Sequence, residues 1–184
     1  MLFVALLWGS STHHLFAQND VPKKGFDKKR LFVDGNIGFN FSNNSAYAQV
    51  SPVLGYWITQ RLAAGAGPSF EYYKYGTYST TNYGGRLFTR FYPLRSLFAH
   101  AEYEIVNYKD YYTNTRKTQS RLPIGAGYSQ SVGGAAYING MVLYDVLYKA
   151  NSSAPFNDYI AGGWIFRVGV TMGLGGGGSW SPNF

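Results

Sequence analysis

The sequence predicts an all-β fold, an eight-stranded antiparallel up-and-down transmembrane β-barrel. Two observations carry this: apolar and polar residues alternate with period two along most of the chain, and the charges inside those stretches share one parity. Residues 83–104, YGGRLFTRFYPLRSLFAHAEYE, show both. Tyr83, Gly85, Leu87, Thr89 and Phe91 fall on one face, with Gly84, Arg86, Phe88, Arg90 and Tyr92 on the other. Pro93-Leu94-Arg95-Ser96 turns the chain. The return strand sets Leu97, Ala99, Ala101, Tyr103 and Ile105 against His100, Glu102 and Glu104. A soluble sandwich buries its apolar face and sends charges to water. A membrane barrel turns the apolar face to lipid and pairs charges inside. The rest of the chain favours the barrel.

Composition narrows the class. The 184 residues suffice for one domain and include 17 Tyr, 23 Gly and no Cys. Tyrosine and glycine suit strands, interfacial belts and tight turns, not a helical bundle. Without cysteine there is no disulfide framework, thiol metal site or lipid-anchor cysteine. The net charge of +7 is concentrated: five of the 16 basic residues are Lys23, Lys24, Lys28, Lys29 and Arg30. Outside residues 19–30, 11 basic residues face 7 acidic ones and form no stripe, which argues against nucleic-acid binding.

Residues 1–17 contain no Asp, Glu, Lys or Arg, and the apolar run at 2–8 is shorter than the roughly 20 residues of a spanning helix. With Ala17 before Gln18-Asn19-Asp20, residues 1–18 read as a secretory signal peptide, although no basic stretch precedes the apolar run. A buried N-terminal strand is the alternative. Residues 19–30 then form a basic, mobile periplasmic arm, residues 31–174 the barrel, and the glycine-rich 175–184 a tail.

Eight segments follow in order. Residues 31–41 place Leu31, Val33, Ile37 and Phe39 opposite Asp34 and Asn36. Residues 46–58 place Ala48, Val50, Leu54, Tyr56 and Ile58 outward, with Pro52 suggesting a bulge. Residues 62–73 set Ala64, Ala66, Phe70 and Tyr72 against Gly65, Gly67, Ser69 and Glu71. After a loop at 74–81 comes the hairpin described above, then a longer loop at 108–118. Residues 120–129 put Leu122, Ile124, Ala126 and Tyr128 outside, with Arg121, Gly125 and Gly127 inside. Residues 134–148 set Ile138, Val142, Tyr144 and Val146 against Asn139 and Asp145. Past a loop at 149–158, residues 159–174 carry Trp164, Phe166, Val168, Val170 and Met172 opposite Arg167. Short turns alternate with longer polar loops, the asymmetry of bacterial barrels.

All nine in-strand charges fall on the inner parity: Asp34, Glu71, Arg86, Arg90, Glu102, Glu104, Arg121, Asp145 and Arg167. A barrel of eight strands is just filled by its side chains, and arginine forks satisfy carboxylates bidentately. The expectation is an ion-paired, plugged lumen without an open pore. Inner glycines (Gly65, Gly67, Gly125, Gly127, Gly163 and Gly169) would leave room for the arginines. The loops would display Tyr75, Tyr78, Tyr108, Tyr111 and Tyr112, either as an interfacial aromatic belt or as an adhesive or saccharide-binding surface.

Enzymatic chemistry has one candidate. His100 shares a face with Glu102 and Glu104, and a serine such as Ser69 or Ser129 could approach it. No nucleophile motif accompanies it, and its position near a turn and inside the lumen is remote from lipid substrate. One histidine after the expected signal peptide and scattered carboxylates give no metal-ligand spacing. Gly175–Gly178 leads to no helix, so it is no phosphate loop, and no cofactor is expected.

The order of these features resembles the small OmpA/OmpX-type outer-membrane β-barrel family. The residues that carry the likeness are Ser51-Pro52-Val53-Leu54-Gly55-Tyr56-Trp57, then Leu62-Ala63-Ala64-Gly65-Ala66-Gly67, Thr89-Arg90-Phe91-Tyr92-Pro93, Leu97-Phe98-Ala99-His100-Ala101-Glu102 and Leu122-Pro123-Ile124-Gly125-Ala126-Gly127-Tyr128. The resemblance implies an integral barrel of a Gram-negative outer membrane, both termini periplasmic, with no shared catalytic residues. The chain departs from the larger OmpA type in having no peptidoglycan-binding domain after the barrel. The expected role is structural or interactive, with outer-membrane lipid and lipopolysaccharide as partners. The alternatives are an accessory subunit of a larger outer-membrane complex and a lipid-modifying enzyme using His100.

Overall fold

The computed structural model describes residues 25–42, 45–110, 113–150 and 163–175, and the chain in them is almost entirely strand. The strands are β1 (Leu31–Ser42), β2 (Ser45–Trp57), β3 (Leu62–Tyr75), β4 (Tyr78–Phe91), β5 (Leu97–Lys109), β6 (Arg116–Arg121), β7 (Pro123–Gly133), β8 (Ala136–Asp145) and β9 (Trp164–Gly173). Each pairs antiparallel with its neighbours, and β1 pairs with β9 to close the ring. Among the described residues β6 pairs on one side only, with β5, while the rest of the ring is closed through β4–β5 and β1–β9.

Two of the nine segments are one wall strand. β5 pairs with β6 at Glu104↔Arg121 and with β7 at Ala101↔Ile124, the same register continued across the break at Leu122. The wall therefore has eight spans, as the periodicity predicts. Pro123 explains the break: it has no N–H to donate, and it restricts the residue before it. The freed Leu122 N–H donates to Asp145 Oδ1 at 2.9 Å.

Alternation decides which side each residue sees. Phe32, Asp34 and Asn36 are buried while Val33, Ile37 and Phe39 are exposed, and β4 and β5 repeat the pattern. At the end carrying the turns 58–61 and 92–96, inward rings seal the interior. Phe32 and Trp57 lie 5.7 Å apart, Trp57 and Tyr92 5.3 Å, and Tyr92 and Phe98 5.3 Å. Val53, Ala63, Phe88, Met141 and Leu143 complete this apolar plug. Inner glycines make space for it: a β-carbon on Gly55 would lie 2.1 Å from the Phe32 ring, and one on Gly127 2.3 Å from Phe98. The glycines expected to accommodate arginines thus mostly face rings, Asn36 or backbone instead, because the barrel wall curves closely around them.

Four local expectations are corrected. The loop at 74–81 is a two-residue turn, Gly76-Thr77, with Gly76 at φ 56°. β5 runs on to Lys109 and β6 starts at Arg116, so the next loop is also short. Pro52 causes no register shift: the β2–β3 ladder is interrupted at residues 51–53 but resumes in register, from Val50↔Phe70 to Leu54↔Ala66, and a shift lies instead between Ser131 and Gly133. Residues 25–30 are not a free arm: Phe26 stacks on Tyr56 at 5.5 Å and Arg30 donates to the Ile58 carbonyl at 3.1 Å. The expected signal peptide, the start of the arm and the tail beyond 175 lie outside the described residues.

Candidate functional site

Above the apolar plug the lumen is filled by charge. Asp34 on β1 receives Arg90 from β4 at 3.2 Å, Thr171 from β9 at 2.6 Å and Asn36 at 2.7 Å. The Arg90 guanidinium also lies 5.1 Å from the Phe88 ring centre and 4.6 Å from that of Phe98, joining the charged layer to the plug. Glu71 on β3 receives both forks of Arg121 on β6, at 2.6 and 3.3 Å. Tyr47 and Gln49 donate to the same carboxylate at 3.0 and 3.3 Å.

Arg167 on β9 spans two carboxylates of β5, Glu102 at 2.6 Å and Glu104 at 3.2 Å. Arg86 approaches Glu102 at 3.3 Å, and Arg121 approaches Glu104 at 3.5 Å. The chain of charge runs Glu71, Arg121, Glu104, Arg167, Glu102, Arg86. These links join strands that do not touch in the sheet: β1 to β4, β3 to β6, β5 to β9. They act as struts across the lumen.

Four guanidiniums meet four carboxylates, so their formal charges cancel. Removing such groups from water is expensive, and only near-complete pairing offsets it.

All nine sequence-predicted inner charges are buried, and eight join one another. Asp145 does not join them. Its Oδ1 accepts from the Leu122 and Leu147 N–H groups at 2.9 and 3.0 Å, so it holds the backbone where β6 gives way to β7. Sequence reasoning missed Gln49, which donates to Ser69, Glu71 and Glu104, and also Tyr47 and Thr171. Their signal was present: Gln49 and Thr171 stand at inner-parity positions of their strands.

Of the expected loop tyrosines, Tyr75, Tyr78 and Tyr108 belong to strands β3, β4 and β5. Tyr108 lies in β5 and is buried. Tyr75 and Tyr78 close the β3–β4 turn, and the Tyr78 hydroxyl donates to the Lys109 carbonyl at 3.3 Å. Tyr111 and Tyr112 lie outside the described residues. β5 extends further than the tyrosine-rich composition suggests, and alternation then turns Tyr108 inward.

His100 Nε2 lies 3.2 Å from Glu102 Oε2, and its ring stacks on Phe88 at 5.3 Å. The serine of a nucleophilic triad would have to hydrogen-bond this ring. Ser69 engages Gln49 and Ser51 instead, at 3.0 and 3.1 Å. His100 is thus built into the struts and the plug.

No family model matches the chain, and no curated protein matches it. Among solved structures, it is similar to the N-terminal β-barrel domain of Pseudomonas aeruginosa OprF, at 11% identity and a TM-score of 0.46, over 77% of this chain and 95% of that one.

Proposed function

We propose that this chain is an integral barrel of a bacterial outer membrane with a sealed lumen, serving a structural or interaction role and not catalysis or conduction. One observation carries the reading: the barrel is inside out. Its charges are buried, and Val33, Ile37, Leu54, Phe70, Leu87, Ile124, Phe166 and Val168 stand on the outer wall, Leu87 60% and Phe166 63% exposed. Soluble monomers rarely expose apolar patches beyond a few hundred Å². In lipid the same wall is satisfied, and a closed barrel is one of the two structures that leave no backbone group unpaired there.

β4 and β5 have 14 and 13 residues, more than the roughly 9–11 needed to cross a bilayer, so these strands extend past the apolar band. Residues 25–30 and the end of β9 sit at the end of the turns 58–61 and 92–96, opposite the longest connection, that between β8 and β9, which supports termini on the periplasmic side.

The test is dilution of urea-unfolded chain into lipid vesicles. Insertion should give a compact species on unheated denaturing gels that converts to the unfolded mobility on boiling, with no stable conductance in planar bilayers. A chain that stays soluble and monomeric without lipid would refute the membrane reading. Large, ohmic single-channel steps would refute the sealed lumen. Particle mass after extraction in mild detergent then separates a free-standing barrel from a subunit of a larger assembly.

A further inference from the structure

We propose that the outer wall across β3 to β6 is a docking site for one phosphorylated acyl lipid, the lipid A part of lipopolysaccharide. An acyl chain would lie in an apolar groove and a phosphate against Arg116 and Lys109. The proposal rests on the outer-membrane reading above and specifies a ligand for it.

The groove encloses about 500 Å³. Its floor is Ala66 and Gly85, and its sides are Tyr83, Leu87, Tyr103 and Ile105. It is deep because Gly85 has no side chain: a β-carbon there would meet nothing closer than the Gly67 carbonyl oxygen at 3.9 Å. These residues all lie on the outward parity, so the dent opens to lipid. A flexible hydrocarbon chain fits such a groove better than bulk lipid fits a ridge.

The head of the groove is cationic. Arg116 donates to Asn107 Oδ1 at 2.9 Å and to the Thr81 carbonyl at 3.4 Å, and its guanidinium lies 4.7 Å from the Tyr83 ring centre. Tyr83 and Asn107 are themselves groove residues, so the charge is fixed over the groove before any ligand arrives. Lys109 is the cross-strand partner of Arg116, and paired residues share a face. The acidic residues within β3 to β6, Glu71, Glu102 and Glu104, are all buried in the lumen, and Asp110, which follows Lys109, is ion-paired with Lys117 at 2.5 Å. Among the described residues neither Arg116 nor Lys109 has a carboxylate within ion-pair distance.

A held guanidinium and an adjacent ammonium, neither ion-paired among the described residues and both above an apolar groove, complement a phosphate attached to acyl chains. This head lies at the barrel end away from residues 25–30. Under the orientation proposed above that end meets the outer leaflet, which favours lipid A over an inner-leaflet phospholipid.

Native mass spectrometry of the barrel in mild detergent tests the site, with titration of lipid A, phosphatidylglycerol and zwitterionic phosphatidylethanolamine in parallel. One saturable lipid A adduct is expected. Arg116→Gln should weaken it by about five- to tenfold, from roughly the worth of one basic residue near an anionic lipid surface. Gly85→Leu, which fills the groove from outside, should remove the adduct while the gel shift on heating stays intact. Equal or tighter binding of phosphatidylglycerol overturns the assignment to lipid A. Multiple adducts, or a single adduct unmoved by Arg116→Gln and Gly85→Leu, overturn the site. A barrel that inserts into vesicles without taking up lipid A loses only this site; one that never inserts loses the membrane reading as well.

Discussion

Replacing Arg167 by methionine removes the strut that ties β9 to β5 while keeping most of the buried volume. Arg167 serves two carboxylates, Glu102 at 2.6 Å and Glu104 at 3.2 Å, and all three side chains are essentially unexposed. In Arg167→Met, Glu102 keeps Arg86 at 3.3 Å and Glu104 keeps Arg121 at 3.5 Å, each a longer ion pair than the one Arg167 makes to the same carboxylate. Deleting one partner of a buried ion pair costs about 3–5 kcal/mol, and the remaining guanidiniums place this variant near the lower end, at about 3 kcal/mol. With a urea slope of about 2 kcal/mol per M, the unfolding midpoint should fall by about 1.5 M. Urea titration of the barrel in vesicles, followed by tryptophan fluorescence, measures this. The double variant Arg167→Met/Glu104→Gln removes the excess carboxylate, leaves Glu102 with Arg86 and Glu71 with Arg121, and should recover about half of the loss. A fall of less than about 0.5 M in the single variant, or a double variant no better than the single, would refute the strut argument.

Three further outcomes follow from the same geometry. Val168→Arg places a charge on the outer wall at a position 54% exposed and paired with Ile37 and Gly140. It should cost about 2–4 kcal/mol of folding into lipid if the site lies near the bilayer midplane, read from the fraction of heat-shiftable species. Gly55→Ala drives a β-carbon to 2.1 Å from the Phe32 ring, so the plug must shift, and a loss of about 1–3 kcal/mol in the same urea titration is expected. Arg90→Ala breaks the 3.2 Å contact to Asp34 and should lower stability without opening a conducting path, since Phe32, Trp57, Tyr92 and Phe98 still close the lumen. Planar-bilayer recording checks that variant.

Fold class and the sidedness of the wall were legible in the residues alone. Alternation is a property of the extended backbone, so Arg86, Arg90, Glu102 and Arg167 could be assigned to the interior from their spacing. The same period held the inner rings Phe88, Tyr92 and Phe98, which share the parity of the charges beside them. What the period could not give was partnership. Asp34 meets Arg90, and Glu71 meets Arg121, across strands three apart in the ring; such contacts depend on how the closed sheet staggers its strands. Asp145 shares the inner parity yet binds backbone, because the break before Pro123 frees an N–H beside it. Tyr108 was placed in a loop by composition, but the ladder with β6 carries β5 to Lys109. Where a strand stops is decided by the partner it pairs with. Local spacing sets the side a residue faces, whereas closure of the barrel sets what it meets there.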